Sequence, residues 1–500
     1  MLTRALLALA LLAAPLAAQT TFSTGRVETV YTGGPRVARS GLVKPKGTSG
    51  TGYAMSDVTG VVGLWDLGRQ DSLIKGGYTF TATSSQFHSR TNTTLPCVSG
   101  GVPIYPFSVV IWFRTNTITT GGVGRYLWVA SDGTTNNRLI VYQNDDDLHT
   151  FAAGSGASGQ AQVAASLTAN RWHLAIAVFT SAASRSIYID TNTTGATETT
   201  SAACSGLDDL HVGTNVDASA NFWDGRIAYT AVLPAGLSTD QRTAIFAMAD
   251  PALVQSPGTT GAVWPFDNAV TDSSGNGFTL TSTNAPVANN NLLVVRDLSG
   301  SGCHLRATTS APTWSSSIGN GQGGGVFTAA SSQFLLNDSL PEAIPVAAPF
   351  QVYAVAQSNN TTANQSIFWL GDKDADGDFW ALEFAGAVAN DPSRWVSVDT
   401  SSGLANVNSY LADTNYLVWG LETSDTSREA QRNGSASGTD TTNLSPDNSD
   451  SMSIGAQRTA TPGKPLDGEI HLTILLNHAG TGDQPRIETF TSGSFSLGIP

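Results

Sequence analysis

Apolar and polar positions alternate along this chain in short runs, at the period of a β-strand. In "RSIYID", Ile187 and Ile189 fall on one face and Tyr188 on the other. "WHLAIAVF", from Trp172 to Phe179, is largely apolar, which suits a strand inside a sandwich. Clusters of Gly, Asn, Asp, Ser and Thr separate such runs and supply the turns. One segment breaks the pattern: "LSTDQRTAIFAMAD" predicts a short helix with Ser238 as its cap and Pro251 as its stop. Many short strands joined by turns predict an all-β chain of antiparallel sandwiches.

The strand blocks occur twice, in the same order. "GGYTFTATSSQFHSR" at Gly76 returns as "GGGVFTAASSQFLLN" at Gly323, sharing F-T-A-x-S-S-Q-F. "YPFSVVIWFRTNT" at Tyr105 corresponds to "APFQVYAVAQSNN" at Ala348, and "RYLWVASDG" at Arg125 to "QSIFWLGDKDADGD" at Gln365. "NRWHLAIAVFTS" at Asn170 answers "TNYLVWGLETS" at Thr414, and "FWDGRIAYTAVL" at Phe222 answers "PLDGEIHLTILL" at Pro465. A duplicated unit follows, with one hairpin loop longer in the second copy.

This order of motifs resembles the laminin-G-like jelly roll of the concanavalin A-like lectin/glucanase superfamily. The resemblance runs over most of Gly63–Pro500. It rests on the F-T-A-x-S-S-Q-F opening, "FSVVIWFRT", "RWHLAIAVF…SIYID" and "FWDGRIAYTAVLPAGLSTDQR", and on the closing "LDGEIHLTILL" of the second copy. It implies two tandem antiparallel jelly-roll β-sandwiches. It does not select a function, because this fold hosts lectins, adhesion modules and glycosidases alike. The expected division is a leader at 1–18, a linker or loose arm at 19–62, a first jelly roll at 63–250, a linker or entry segment at 251–290, in which Val263–Thr281 either closes the first unit or opens the second, and a second jelly roll at 291–500.

Composition narrows the partners. The leader "MLTRALLALALLAAPLAAQT" has Arg4, an apolar run and small residues at Ala17 and Ala18, the pattern of a secretory signal. Export of the mature chain to the cell surface or medium follows, and no later run is long and apolar enough to predict a membrane helix. Charged residues are 13% of the chain and the net charge is −14. An acidic exported protein is poorly suited to nucleic acid or anionic membrane. Three cysteines, Cys97, Cys204 and Cys303, are no disulfide framework. Cys97 and Cys204 fall in one expected unit and are the candidate bridge, the alternative being free buried thiols.

Catalytic signals are sparse. Glycoside hydrolysis needs two carboxylates flanking the scissile bond. Between Gly63 and Asp250 the single glutamate is Glu198, and no E-x-D-x-x-E occurs. G-x-S-x-G and H-E-x-x-H are absent, and "GNGQGGG" lacks the lysine of a phosphate loop. His88, His149, His173 and His211 lie in strand-like contexts and read as structural. "GDKDADGDFWALEF" offers Asp372, Asp374, Asp376 and Asp378 around Gly377 as a calcium loop, or as a plain acidic hairpin. Glu383 matches the twelfth position of a helical calcium loop, but Phe379–Phe384 reads as a strand, which carries Glu383 out of reach. Trp223 and Trp395 are the candidate aromatic contacts for a sugar, against a core role. The chain therefore reads as an exported, non-catalytic binder of glycans or extracellular proteins, with calcium as an associated ion. A divergent polysaccharide hydrolase and a structural surface or appendage subunit are the alternatives.

Overall fold

The turn chemistry of the repeated motif explains its recurrence. Thr81 and Thr328 each precede a single 3₁₀ turn, Ala82–Ser84 and Ala329–Ser331. Ser85 and Ser332 close these turns in the left-handed region, at φ 48° and 46°. The next residue, Gln86 or Gln333, turns its side-chain oxygen back onto the amide of Thr81 or Thr328, at 2.8 and 2.7 Å. The aspartate–glycine pairs have a similar logic. A Cβ on Gly225 would lie 2.0 Å from the Arg114 carbonyl, and one on Gly468 2.0 Å from that of Gln357. Only glycine permits the neighbouring strand to come so close.

The computed structural model describes residues 22–23, 26–27 and 58–497, except 68–72, 119, 155, 248–249, 268, 300, 308–309, 319–320, 375–376, 387–391, 400, 408–409, 435, 447–448, 459–462 and 496. The expected leader and most of the expected arm lie outside the described residues.

The described chain is all-β, with four large antiparallel sheets. In the first sandwich the front sheet runs Ala157–Val163, Asp147–Gly154, Arg138–Asn144, Gly124–Ser131, Asp209–Val212, Phe87–Arg90, Thr281–Thr283. Its back sheet runs Thr191–Glu198, Ser184–Ile189, Trp172–Ser181, Phe107–Thr115, Gly225–Leu233, Tyr78–Phe80, Val287–Ala288, with Ala262–Trp264 added beside Gly225–Leu233. The second sandwich has the same order. Its front sheet starts Ser402–Val407, Ser393–Val398, Phe379–Ala385, Asn364–Gly371, Ser451–Ile454, Leu335–Asn337, Leu305–Ala307. Its back sheet runs Ala436–Asp440, Ser427–Arg432, Tyr416–Ser424, Phe350–Ser358, Gly468–Leu476, Gly324–Phe327, Thr313–Ser315. Each pair of sheets encloses its own apolar cluster. One is built around Phe113, Trp128, Phe179 and Trp223, the other around Phe350, Trp380, Trp395 and Leu475.

The strands partition differently from the expected boundaries. Val61–Asp66, at the expected start of the first jelly roll, pairs with Gly468–Leu476 of the second. Leu73–Lys75 likewise pairs with Leu292–Val295. Ala262–Trp264, Thr281–Thr283 and Val287–Ala288, in the linker or entry segment left open between the two units, complete the first sandwich. Alternation marks a strand, but it does not name the partner.

The two added strands sit in equivalent seats. Trp65 Nε1 donates to the Cys303 carbonyl at 2.7 Å, and Trp264 Nε1 to that of Phe278 at 2.8 Å. Asp297 accepts the Leu64 amide at 3.0 Å and those of Ser299, Gly302 and Cys303. Asp272 accepts the amides of Val263, Ser274 and Phe278 in the other half. The short helix Thr239–Phe246 has the expected Ser238 cap, completed by Gln241. Pro251 not only stops that region but opens a second turn of helix, Pro251–Val254.

The histidines read as structural are buried in strands: His88, His149, His173 and His211 are all under 5% exposed. His88 lies among the rings of Tyr78, Phe80 and Phe266, and burial lowers its pKa from 6.5 to about 3. Because the folded value lies below the unfolded one, the unfolded chain takes up a proton that the native chain refuses. Stability is therefore full above pH 6.5 and falls as the pH drops from there towards 3. Urea unfolding of the first sandwich at pH 7 and pH 4.5 should show a lower midpoint in acid. His88→Leu should flatten that dependence, and an unchanged slope would dismiss His88 as its source.

Candidate functional site

Three places bear on recognition, and the first lies on the outer face of the first front sheet. Register aligns Gln162, His149, Tyr142 and Tyr126 across four strands. Tyr126 and Tyr142 stack at 5.5 Å and 24°, and Tyr142 and His149 at 4.7 Å and 21°. The adjacent row holds Gln160, Phe151, Ile140, Val129 and His211. Val216 covers Val129 and Ile140, while Tyr126, Tyr142 and Phe151 around them stay half-buried. The Arg138 guanidinium stands 5.0 Å over the Phe151 ring, and the Tyr142 hydroxyl donates to Gln160 Oε1 at 2.9 Å. Burial, with Tyr126 alongside, pushes the Tyr142 phenol up to about 12, so it stays a donor at any physiological pH. Neither ring nitrogen of His149 has a hydrogen-bond partner, and burial lowers its pKa against the opposing pull of Asp147. The face thus offers apolar ring surface with hydroxyl, amide and guanidinium groups beside it, a lining suited to polyhydroxylated ligands.

The acidic loop is the second place. It joins Asn364–Gly371 to Phe379–Ala385, and its counterpart in the first sandwich joins Gly124–Ser131 to Arg138–Asn144. Asp372 and Asp374 come together with Asp450, one oxygen of each within 4.8 Å of the others. Asp450 precedes the neighbouring strand Ser451–Ile454, a partner that sequence spacing could not supply. Asp376 lies outside the described residues. Asp378 holds the turn through its carbonyl, which accepts the Asp372 amide at 3.0 Å, and it is not part of the three-carboxylate group. The Lys373 ammonium pairs with Asp450 and lies 3.6 Å from Asp374. These carboxylates fit a hard cation in kind, but one ammonium already pairs with two of the three.

Glu383 follows the expected strand geometry. Trp380, Leu382 and Phe384 enter the core, whereas Glu383 points to the opposite face. There it is fully buried. Arg394 donates to one oxygen at 2.8 and 3.0 Å, and Lys464 and Gln457 donate to the other at 2.8 and 2.9 Å. A carboxylate with both oxygens so engaged is a structural anchor rather than a calcium ligand.

The third place corrects the aromatic candidates. Trp223 and Trp395 are both 0% exposed. Trp223 packs edge-on against Phe113 at 5.6 Å, and Trp395 Nε1 donates to Glu422 at 2.7 Å. Both belong to the sandwich interiors: Trp395 is turned inward by the alternation of Ser393–Val398, and Trp223 by the segment that leads into Gly225–Leu233. The candidate bridge is corrected too. Cys97 and Cys204 are free and buried, and the Cys204 thiol donates to the Ala153 carbonyl at 3.1 Å. Burial pushes the Cys97 and Cys204 thiols up to about 12 and about 11, which suits inert core residues.

Among the described residues no helix is long and apolar enough to cross a membrane. No curated protein matches the chain in sequence. Solved structures similar to it include the mouse laminin alpha1 chain, domains LG4-5, at 10% identity over 83% of this chain and 88% of that one, with a TM-score of 0.26. The sialidase carbohydrate-binding module of Ruminococcus gnavus bound to alpha2,3 sialyllactose is 13% identical over 29% of this chain and 83% of that one, at TM-score 0.25. Domain 4 of an extracellular arabinanase from Geobacillus stearothermophilus, in complex with arabinotriose, is 16% identical over 46% and 97%, at TM-score 0.29. The family model of laminin G type, described as concanavalin A-like lectin/glucanases superfamily, matches residues 88–241, and over this stretch the chain is similar to that family.

Proposed function

We propose that the chain is an exported binding protein whose first sandwich recognises glycans on the outer face of its front sheet. The observation that carries this reading is the stacked pair Tyr126 and Tyr142, backed by buried His149, with half-buried Phe151 and Arg138 and exposed Gln160 beside it. A saccharide ring offers C–H groups to aromatic surface and hydroxyls to the neighbouring amide and guanidinium. A glycan array probed with the full chain should show bound saccharides without cleavage. Tyr126→Ala and Tyr142→Ala should each weaken that binding by about tenfold, roughly 1.4 kcal/mol. Array binding unaffected by both substitutions would overturn the assignment of the face. Release of new reducing ends from a bound polysaccharide would favour the hydrolase reading instead.

Calcium belongs to the same proposal as an ion of the second sandwich, held by Asp372, Asp374 and Asp450 after displacement of Lys373. Extracellular modules bind calcium at about 10⁻⁴–10⁻³ M. Lys373→Gln should tighten binding measured by calorimetry, and Asp374→Ala should remove it. A melting temperature blind to calcium in both the parent and Lys373→Gln chains would leave the loop a hairpin.

A further inference from the structure

The strands that complete each sandwich are exchanged between the two halves of the chain. The half before Gln255 contributes Val61–Asp66 and Leu73–Lys75 to the second sandwich. The half after Gly261 contributes Ala262–Trp264, Thr281–Thr283 and Val287–Ala288 to the first. We propose that the groove beside Gly468–Leu476 is a strand-binding site whose ligand is residues 58–67, and that a second copy of this chain can supply that ligand.

The site is built for this segment in detail. Trp65, 0% exposed, donates to the Cys303 carbonyl, and Leu64 donates its amide to Asp297. Leu64 also packs with Leu472, Ile474, Ile487 and Phe490 on the outer side of the back sheet. Thr59 donates its amide and hydroxyl to Asp483 at 3.1 and 2.8 Å. The Leu67 carbonyl accepts Trp314 Nε1 at 3.0 Å. None of these bonds depends on the covalent path between the segment and its seat.

A second copy fits because the exchange is reciprocal. Two chains can pair the first half of each with the second half of the other, leaving both seats full and closing with two-fold symmetry. One loop, Gln255–Gly261, joins the halves, and Ser256, Gly258 and Thr259 are exposed along it. Fully extended, that loop spans about 23–25 Å, enough to let the halves part.

Two measurements on the full chain test this. A protease site replacing Ser256–Thr259 should yield, after cutting, two fragments that co-elute in native buffer and separate only in denaturant. Fragments that separate without denaturant would overturn the seat as a binding site. Separately, a Val61→Cys chain and a Leu476→Cys chain, whose altered positions are register partners, are unfolded together and refolded under oxidising conditions. A disulfide-linked two-chain species, increasing with chain concentration, is the expected result. Monomers alone, while the double variant forms the link within one chain, would overturn filling by a second copy.

Discussion

Replacing Arg428 by methionine should cost about 3–5 kcal/mol, the largest loss expected of any single change in this chain. Arg428 is buried with its guanidinium against Glu422 at 3.0 Å, the Asp440 carboxylate at 2.5 Å and the carbonyls of Asp425 and Thr442. Glu422 also accepts from Trp395 and Ser397, so the ion pair ties the back sheet to the front one. Burial raises the Glu422 pKa, and its hydrogen bonds from Arg428 and Trp395 oppose the rise. Without Arg428 a carboxylate 1% exposed would stand beside two neutral donors, and desolvation would dominate. Urea unfolding read from tryptophan fluorescence measures the loss, and the double variant Arg428→Met with Glu422→Gln should recover a large part of it. A loss under about 1 kcal/mol would place the pair with ordinary surface ion pairs. Arg185, at the matching position of the first sandwich, has carbonyl partners instead, from Gly159, Ala182 and Thr200.

Trp65→Ala should be nearly as damaging, about 3–5 kcal/mol for the indole alone. Its effect should appear far from its sequence neighbours. Amide exchange should quicken in Gly468–Leu476 and Phe350–Ser358, while Phe107–Thr115 and Trp172–Ser181 stay protected. Trp264→Ala should show the converse, because its indole sits in the equivalent seat of the first sandwich. Exchange that quickens near Tyr78–Phe80 in Trp65→Ala would contradict the pairing of Val61–Asp66 with the second half.

What was legible in the sequence was local. The shared F-T-A-x-S-S-Q-F stretch has its physical origin within eight residues, in a turn whose glutamine bonds the threonine before it. Alternation likewise placed Trp380, Leu382 and Phe384 inward and Glu383 outward. What was not legible was pairing at a distance. The Trp65 bond to Cys303 crosses 238 residues, and nothing around Trp65 names its partner. Asp450 joins Asp372 and Asp374 through sheet order, not spacing. Tyr126, Tyr142 and His149 stand on three different strands, and only register makes them neighbours. Trp223 and Trp395 stand out as large aromatics, but the alternation of Ser393–Val398 turns Trp395 into the core, and the segment before Gly225–Leu233 does the same for Trp223.

The exchanged segment also has a place in time. A ribosome delivers Val61–Asp66 early and Gly468–Leu476 late, and the bond from Thr59 to Asp483 spans 424 residues. At about 5–20 residues per second, that separation is roughly 20–80 s of synthesis. During the wait the first sandwich lacks only what Ala262–Ala288 brings, and it can close before the second has a seat to offer. Leu64 and Trp65 spend the interval without the partners that bury them. The order of translation therefore makes Val61–Asp66, made early, a strand that must wait for the end of the chain to be placed.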